Sequence, residues 1–347
     1  MRVLIIGGSQ FVGRAFAAEA LAAGHRVTTF NRGVSGTDLP GVEAVRGDRE
    51  VAGDLERLVS GRHWDAVVDT CGYVPRTVGA SAAALSGHAD TYLYVSSIAC
   101  LPDWAQAVRP VDDDSPAHDC PPDAGPDHAD GDYGVLKAGC ERAVDRHFAG
   151  RTLHLRAGVI LGPHDTMRML DAWLWRMRVA EGEHRRVLAP GNPEVGMRLI
   201  DVRDVAVFGL DCLADGRTGA FIVNPPEKNT TFGELLTECV KATGSAAEPV
   251  WVDEGFLAEH GVSPWTDLPM WVPDTARDTL VWAAGAPRAR AAGLACRPFS
   301  DTVRDAWEVV RDRPVPELPL AAGCGLSLSR EKELLAAWDA RGGAAAG

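Results

Sequence analysis

Much is missing from this chain. It has no run of lysines and arginines to offset its net charge of -13, which leaves no obvious seat for a phosphate backbone and repels an anionic membrane surface. Its eight cysteines are scattered without C-x-x-C pairs, so they are expected as reduced thiols of a cytoplasmic protein rather than as a disulfide framework or a zinc ribbon. The ten histidines show no H-E-x-x-H or comparable spacing, and no metal is expected. No apolar stretch approaches the roughly 18 residues of a membrane span, and the first residues read as a core strand rather than a signal peptide. Internal repeats are absent too. With 46% hydrophobic and 24% charged residues in 347, the expected protein is globular, either one large domain or two lobes.

What is present alternates. "RVLII" is a short β-branched run ending in glycines, and the alanine-rich "FVGRAFAAEALAAG" after it has helical spacing. The pattern continues through "HRVTTF", "EAVRGD", "DLERLVSG", "WDAVVDT", "TVGASAAALSG" and "TYLYVSS", and later through "TLHLRAGVI" and "AFIVNPP". Strands alternating with helices imply right-handed crossovers and a parallel sheet covered on both faces. The expected architecture is α/β, with a nucleotide-binding domain over 1–162 plus 197–225 and a smaller mixed substrate lobe over 163–196 plus 226–347. Residues 101–132, with nine aspartates against one arginine, lack periodicity and are expected as a solvated surface loop or a lid. The late helix bearing Glu331, Glu333 and Trp338 could dock on the lobe or on a second subunit, so a homodimer stays open.

Three segments carry chemistry. In "IIGGSQFVGRA" a strand turns into a helix through Gly7 and Gly8, and Gly13 lets the helix approach the sheet. The helix-terminal N–H groups over Gly7, Gly8, Ser9, Gln10, Phe11, Val12 and Gly13 are then set for a pyrophosphate. At the end of the second strand Asn31 and Arg32 stand where an NAD-selective site carries an acid; a guanidinium there suits a 2'-phosphate, so NADP(H) is expected, with NAD(H) the alternative. Asp48 and Arg49 come after the third strand, near where an adenine would lie. The third segment is "DYGVLK", in which Tyr133 and Lys137 share one helix face. The ammonium is expected to lower the phenol pKa toward working pH and make it a usable acid or base. Ser96 and Ser97 end a strand at the sheet edge where open α/β sheets collect ligands, and can fix a substrate oxygen.

Taken together, "GGSQFVG", "WDAVVDTCGY", "YVSSIA", "YGVLK", "LRAGVILGP" and "RLIDVRDVA" resemble the short-chain dehydrogenase/reductase superfamily, in its extended branch of epimerases, dehydratases and reductases. The resemblance covers residues 1–225 and implies a Rossmann-type doubly wound sheet. It also implies that Ser97 holds the reacting oxygen, that Tyr133 relays the proton, and that Lys137 binds the nicotinamide ribose and tunes Tyr133. By the same likeness Thr70, Cys71 and Gly72 line the cofactor ribose, and Arg156 to Gly162 form the turn beside the nicotinamide. Gln10 replaces the usual middle glycine, a feature of atypical members that include stem-loop RNA-binding proteins. Ile98 and Ala99 stand where 4,6-dehydratases have an Asp-Glu pair, which disfavours dehydration.

The resemblance therefore implies an NAD(P)-dependent reductase or dehydrogenase acting on a nucleotide sugar or a small carbonyl or alcohol. The alternatives are an epimerase with retained NAD and a non-catalytic cofactor-sensing or RNA-binding member. Arg198 could meet a substrate phosphate or pair with Asp201 or Asp204, and Trp173, Trp175, Trp265 and Trp271 are substrate candidates better explained as core.

Overall fold

The structure is a computed structural model that describes residues 1–102, 111–225, 227–273, 282–316, 319 and 323–345. The chain divides into two compact units, Met1–Ile160 with Ile200–Glu227 and Ala283–Cys296, and Leu161–Leu199 with Lys228–Trp282 and Arg297–Gly347.

The first unit is built on a parallel sheet. Its strands are β1 (Arg2–Ile6), β2 (Arg26–Asn31), β3 (Glu43–Arg46), β4 (Trp64–Asp69), β5 (Ala89–Ser97), β6 (Arg151–Ala157) and β7 (Gly219–Val223), and its helices are α1 (Phe11–Ala22), α2 (Ala52–Val59), α3 (Pro75–Leu85), α4 (Tyr133–His147) and α5 (Val202–Ala214). The strand order is β7-β6-β5-β4-β1-β2-β3, with every neighbouring pair parallel. The doubly wound sheet expected from the alternation is therefore the one found.

Burial explains why β1 is a continuous apolar run rather than an alternating one. Val3 and Ile5 pack on one face with Phe16 of α1 and Val205 and Phe208 of α5. Leu4 and Ile6 pack on the other with Leu55 and Leu58 of α2, Val78 of α3 and Val144 of α4. Gly209 of α5 lets the two outer helices close, since a Cβ there would stand 2.7 Å from the Phe16 ring. The chain leaves β1 toward β2 and β3, then returns to its other side as β4, and this reversal opens a crevice at the carboxyl ends of β1 and β4.

Two parts of the first unit depart from the sequence pattern. Residues 103–110 of the aspartate-rich segment lie outside the described residues, but the stretch after them is not a wholly solvated loop. Asp113 is buried, accepting a hydrogen bond from the Ile222 amide of the edge strand β7 at 2.7 Å and another from the Arg288 amide at 3.1 Å. The segment thus covers a sheet edge that would otherwise expose unpaired backbone. Residues 283–296, expected with the smaller lobe, return to the first unit, where the Ala284 carbonyl accepts from Asn224 at 3.2 Å and Arg288 donates to the Ala220 carbonyl at 2.9 Å.

In the second unit the C-terminal helix Leu328–Ala345 docks on its own chain. Glu331 is buried between Arg176, whose Nε donates at 2.6 Å, and the Leu188 amide at 2.9 Å. Arg176 also donates to the His184 and Arg186 carbonyls, so one guanidinium ties the helix Met169–Arg178 to the strand Arg186–Pro190 and to the terminal helix. Removing the carboxylate would leave a buried, uncompensated cation. Glu331→Ala is expected to lower the unfolding free energy by about 3 kcal/mol or more, read by urea denaturation, while exposed Glu333→Ala changes it by about 0.5 kcal/mol at most.

Candidate active site

The crevice is floored by the glycine turn after β1. Gly7 and Gly8 take φ of +107° and +92°, conformations that side chains resist. A Cβ on Gly7 would lie 2.8 Å from Thr70 Oγ1, one on Gly8 would lie 2.6 Å from Thr29, and one on Gly13 would lie 2.6 Å from the Gly8 amide. Each glycine is therefore demanded by close packing between turn, helix and neighbouring strands. Phe11, the first residue of α1, also has a positive φ of 32°. Gln10 caps α1 in an extended conformation without a side-chain hydrogen bond to the helix, so the first-turn N–H groups keep no side-chain acceptor from the cap. Its amide reaches instead to the Ser35 carbonyl at 2.6 Å, tying the turn to the loop after β2.

That loop holds a residue the sequence pattern did not single out. Asp38 accepts from Thr29 at 2.9 Å and from Asn31 at 3.0 Å, and pairs closely with Arg46 at the end of β3. Asn31 also donates to the Gly7 carbonyl at 3.0 Å. The Arg46 hydrogen bond is the main cause that holds the Asp38 carboxyl down to about 2. An acid does stand at the end of β2, delivered from seven residues beyond Asn31; a search confined to the strand end passes over it. Arg32 is largely exposed, its nearest acid Asp48 at 3.9 Å.

Arg49 is turned inward. Its guanidinium forks onto Asp69, the last residue of β4, at 2.8 and 2.7 Å, and reaches Ser81 at 3.1 Å. Tyr92 donates to the same carboxylate at 2.8 Å. Burial alone would raise the Asp69 carboxyl, but the Arg49 charge and hydrogen bonds outweigh it and hold it below the usual range. Arg49 thus supports β4 from within, its charge paired with Asp69.

On the far side of the crevice α4 begins at Tyr133. Asp132 caps it by accepting from the Val135 amide at 2.8 Å. A Cβ at Gly134 would lie 2.1 Å from the Ala99 carbonyl, so only glycine lets the start of α4 press on the turn after β5. This approach puts the start of α4, and with it Tyr133, beside the end of β5 that carries Ser97. Tyr133 is half exposed and Lys137 is 4% exposed. The Lys137 ammonium donates to the Val95 carbonyl at 2.7 Å and the Gly72 carbonyl at 3.2 Å, and stands 4.3 Å from the Tyr94 ring centre.

The electrostatics differ from the sequence expectation. Burial pushes the Tyr133 phenol up to about 12, only partly offset by nearby Ser97, and burial pushes the Lys137 ammonium down to about 8. The ammonium is spent on two backbone carbonyls rather than on the phenol, so it does not make the resting phenol acidic. Thr70 and Cys71 lie at the crevice, both bonded to the Ile6 carbonyl, at 3.1 and 3.5 Å.

Other residues singled out from the sequence lie elsewhere. Ser96 is buried, on the opposite side of β5 from Ser97, and its hydroxyl has no hydrogen-bond partner among the described residues. Arg156 is buried too, forked on Glu141 at 2.8 to 3.3 Å. In the second unit Trp173, Trp175 and Trp271 are core residues, and Trp265 stacks on Trp282. Arg198 donates to the Trp282 carbonyl at 2.8 Å. Among the described residues no cluster of three or more metal-ligating side chains occurs, and no helix is long and apolar enough to cross a membrane.

Comparison with known proteins places this arrangement. Residues 3–221 match the family described as the NAD dependent epimerase/dehydratase family. The 2'-dehydrokanamycin reductase of Streptomyces kanamyceticus is 27% identical over 267 residues, 75% of this chain and 72% of that protein. Among solved structures, the UDP-glucose 4-epimerase of Thermotoga maritima with UDP-glucose superposes with a TM-score of 0.67 at 16% identity, over 90% of this chain and 99% of that one. A Bordetella bronchiseptica enzyme solved with NAD and UDP gives a TM-score of 0.64 at 18% identity, over 91% of this chain and 95% of its own. The chain belongs to the NAD dependent epimerase/dehydratase family, in the extended short-chain dehydrogenase/reductase branch, and is an enzyme of the NAD(P)-dependent oxidoreductase or epimerase kind.

Proposed function

We propose that this protein is an NADP(H)-dependent reductase that converts a ketone on a sugar-like substrate to the alcohol, with Ser97, Tyr133 and Lys137 as its acid–base machinery. The observation that carries this reading is Tyr133, half exposed at the start of α4, one helical turn from the buried Lys137 and close to the strand end that bears Ser97. A phenol is protonated at neutral pH and can hand its proton to a carbonyl oxygen, and the likeness to the 2'-dehydrokanamycin reductase supports that direction.

The glycine turn fits a dinucleotide: the space at Gly7 and Gly8 excludes a Cβ, and the first turn of α1 keeps N–H groups without a side-chain cap. When bound, the cofactor supplies the hydride for the carbonyl carbon. The chain's own residues do the rest. Ser97 donates a hydrogen bond to the carbonyl oxygen and orients it. Tyr133 gives that oxygen its proton, so the product is a neutral alcohol and the phenol becomes phenolate. Lys137, one helical turn away on the same face, supplies positive charge near that phenolate until solvent returns the proton.

Arg32, exposed just past the end of β2, supports a 2'-phosphate and hence NADP(H). Asp38 supports a second reading, in which NAD(H) binds through its ribose hydroxyls, as in an epimerase that keeps its cofactor. The two are separated by titrating the purified protein with NADPH and NADH and by mass spectrometry of its small-molecule extract. Tighter NADPH binding and no retained NAD are expected; retained NAD overturns the reductase reading. Structured RNA is expected to give no gel shift, in keeping with the net charge of -13.

Kinetics test the relay itself. Tyr133→Phe is expected to lower kcat by about 100-fold or more while leaving the cofactor dissociation constant unchanged; unchanged turnover removes Tyr133 from the mechanism. Because Lys137 is charged below its pKa and neutral above it, kcat is expected to fall as pH rises through about 8, the value to which burial lowers it. A pH profile flat from about 7 to about 9.5 would count against the ammonium's role.

A further inference from the structure

Two of the chain's four tyrosines are buried, Tyr92 and Tyr94, while the other two, Tyr73 and Tyr133, are exposed and face each other. Their ring centres are 6.5 Å apart and tilted by 42°. Tyr73 lies on the short connection between β4 and α3, is 57% exposed, and its ring centre stands 5.4 Å from the Lys137 ammonium. The proton transfer from Tyr133 makes no use of it.

Its place is fixed from below. The carbonyl of Gly72 accepts from both Lys137 and the Tyr94 hydroxyl, at 3.2 and 2.8 Å. A Cβ at Gly72 would come within 2.5 Å of Val78 and 2.9 Å of Tyr94, so the backbone that carries Tyr73 is pressed against the wall of the site. The ammonium therefore has the Tyr94 ring at 4.3 Å, two carbonyls as acceptors, and the exposed Tyr73 ring at 5.4 Å.

We propose that Tyr73 is a positioning residue of the proton relay: its ring roofs the chamber that holds the Lys137 ammonium and keeps bulk water from it. The ring, not the hydroxyl, does this. The proposal rests on reading Tyr133 and Lys137 as the relay, and it adds the means by which the lysine's charge is kept labile near neutral pH. The titratable and charged groups around Lys137 include Asp69 and Cys71 from the β4 side, Tyr94 on β5, Cys100 after β5, and Cys140 and Glu141 on α4 itself. All remain in place when Tyr73 is changed, so a change in the lysine's titration reports the roof. Removing the ring has two opposed effects: water reaches the ammonium and raises its pKa, while loss of a cation–π partner lowers it. The first is expected to win, because Tyr94 at 4.3 Å remains as the nearer ring.

The chain has only four lysines, Lys137, Lys228, Lys241 and Lys332, so protein grown on lysine carbon-13-labelled at Cε gives a spectrum that can be assigned with a Lys137→Arg control. In the cofactor-free wild type the Lys137 signal is expected to titrate near the value of about 8 that burial imposes. Tyr73→Ala should move that midpoint upward by about one unit or more, and Tyr73→Phe should leave it where it was. An unmoved midpoint in Tyr73→Ala, or an equal shift in Tyr73→Phe, overturns the proposal. The alkaline limb of kcat should shift with the midpoint in Tyr73→Ala. If the lysine shifts and the limb stays, the relay is overturned and the chamber alone stands, so the two failures are told apart.

Discussion

The crevice depends on a single buried cation. Lys137 reaches from α4 to the carbonyl of Val95 near the end of β5 and to the carbonyl of Gly72 just after β4, at 2.7 and 3.2 Å. A buried ammonium without partners would be costly, and these two backbone carbonyls, close to the ends of neighbouring strands, supply the partners. One side chain therefore joins two strand ends and, through its own helix, fixes where Tyr133 stands relative to Ser97. Glycines at 72 and 134 permit the approach, since a Cβ at either would collide with Tyr94 or with the Ala99 carbonyl. Leucine at position 137 would pack well and hold neither strand end, which is the physical reason for a lysine so deeply buried on α4.

Two buried forks do comparable work nearby. Arg49 on Asp69 braces the end of β4, and Arg156 on Glu141 braces β6 against α4. Buried ion pairs are weak contributors to net stability, because desolvation offsets much of their attraction. Their geometry is another matter: a planar guanidinium satisfies both carboxylate oxygens at once, which a lysine ammonium cannot do. Each fork removes a freedom of the strand or helix on which a crevice residue sits, and Tyr92 adds a third bond to Asp69.

Much of this was legible in the sequence, and the illegible part has a common cause. The alternation of apolar strands and alanine-rich helices arises from local periodicity, so the sheet could be read from "RVLII" and its successors. Gly7, Gly8, Ser97, Tyr133 and Lys137 could be placed because each sits at a fixed offset from a strand end or on one helix face. Arg49 and Arg156 could not be directed inward or outward from such offsets, because their orientation is set by Asp69 and Glu141, which belong to other elements. Asp38 was missed because a loop, not a strand, carries it to Asn31. The buried Asp113 escaped for the reverse reason: a segment rich in aspartate reads as solvated, while one of its carboxylates is needed to accept the amide of an edge strand.

The same distinction bears on chemistry. Spacing shows that Tyr133 and Lys137 share a helix face, and that alone argues for a lowered phenol pKa. Burial opposes it, raising Tyr133 to about 12 and lowering Lys137 to about 8. Both shifts favour the neutral form of their group. The resting pair is therefore closer to a neutral phenol beside a weakly held cation than to a phenolate beside a strong one. A site in that state holds its proton until an acceptor arrives, and the charge needed to stabilise the phenolate is already near it when the proton leaves. In the proposed reduction the carbonyl oxygen is such an acceptor.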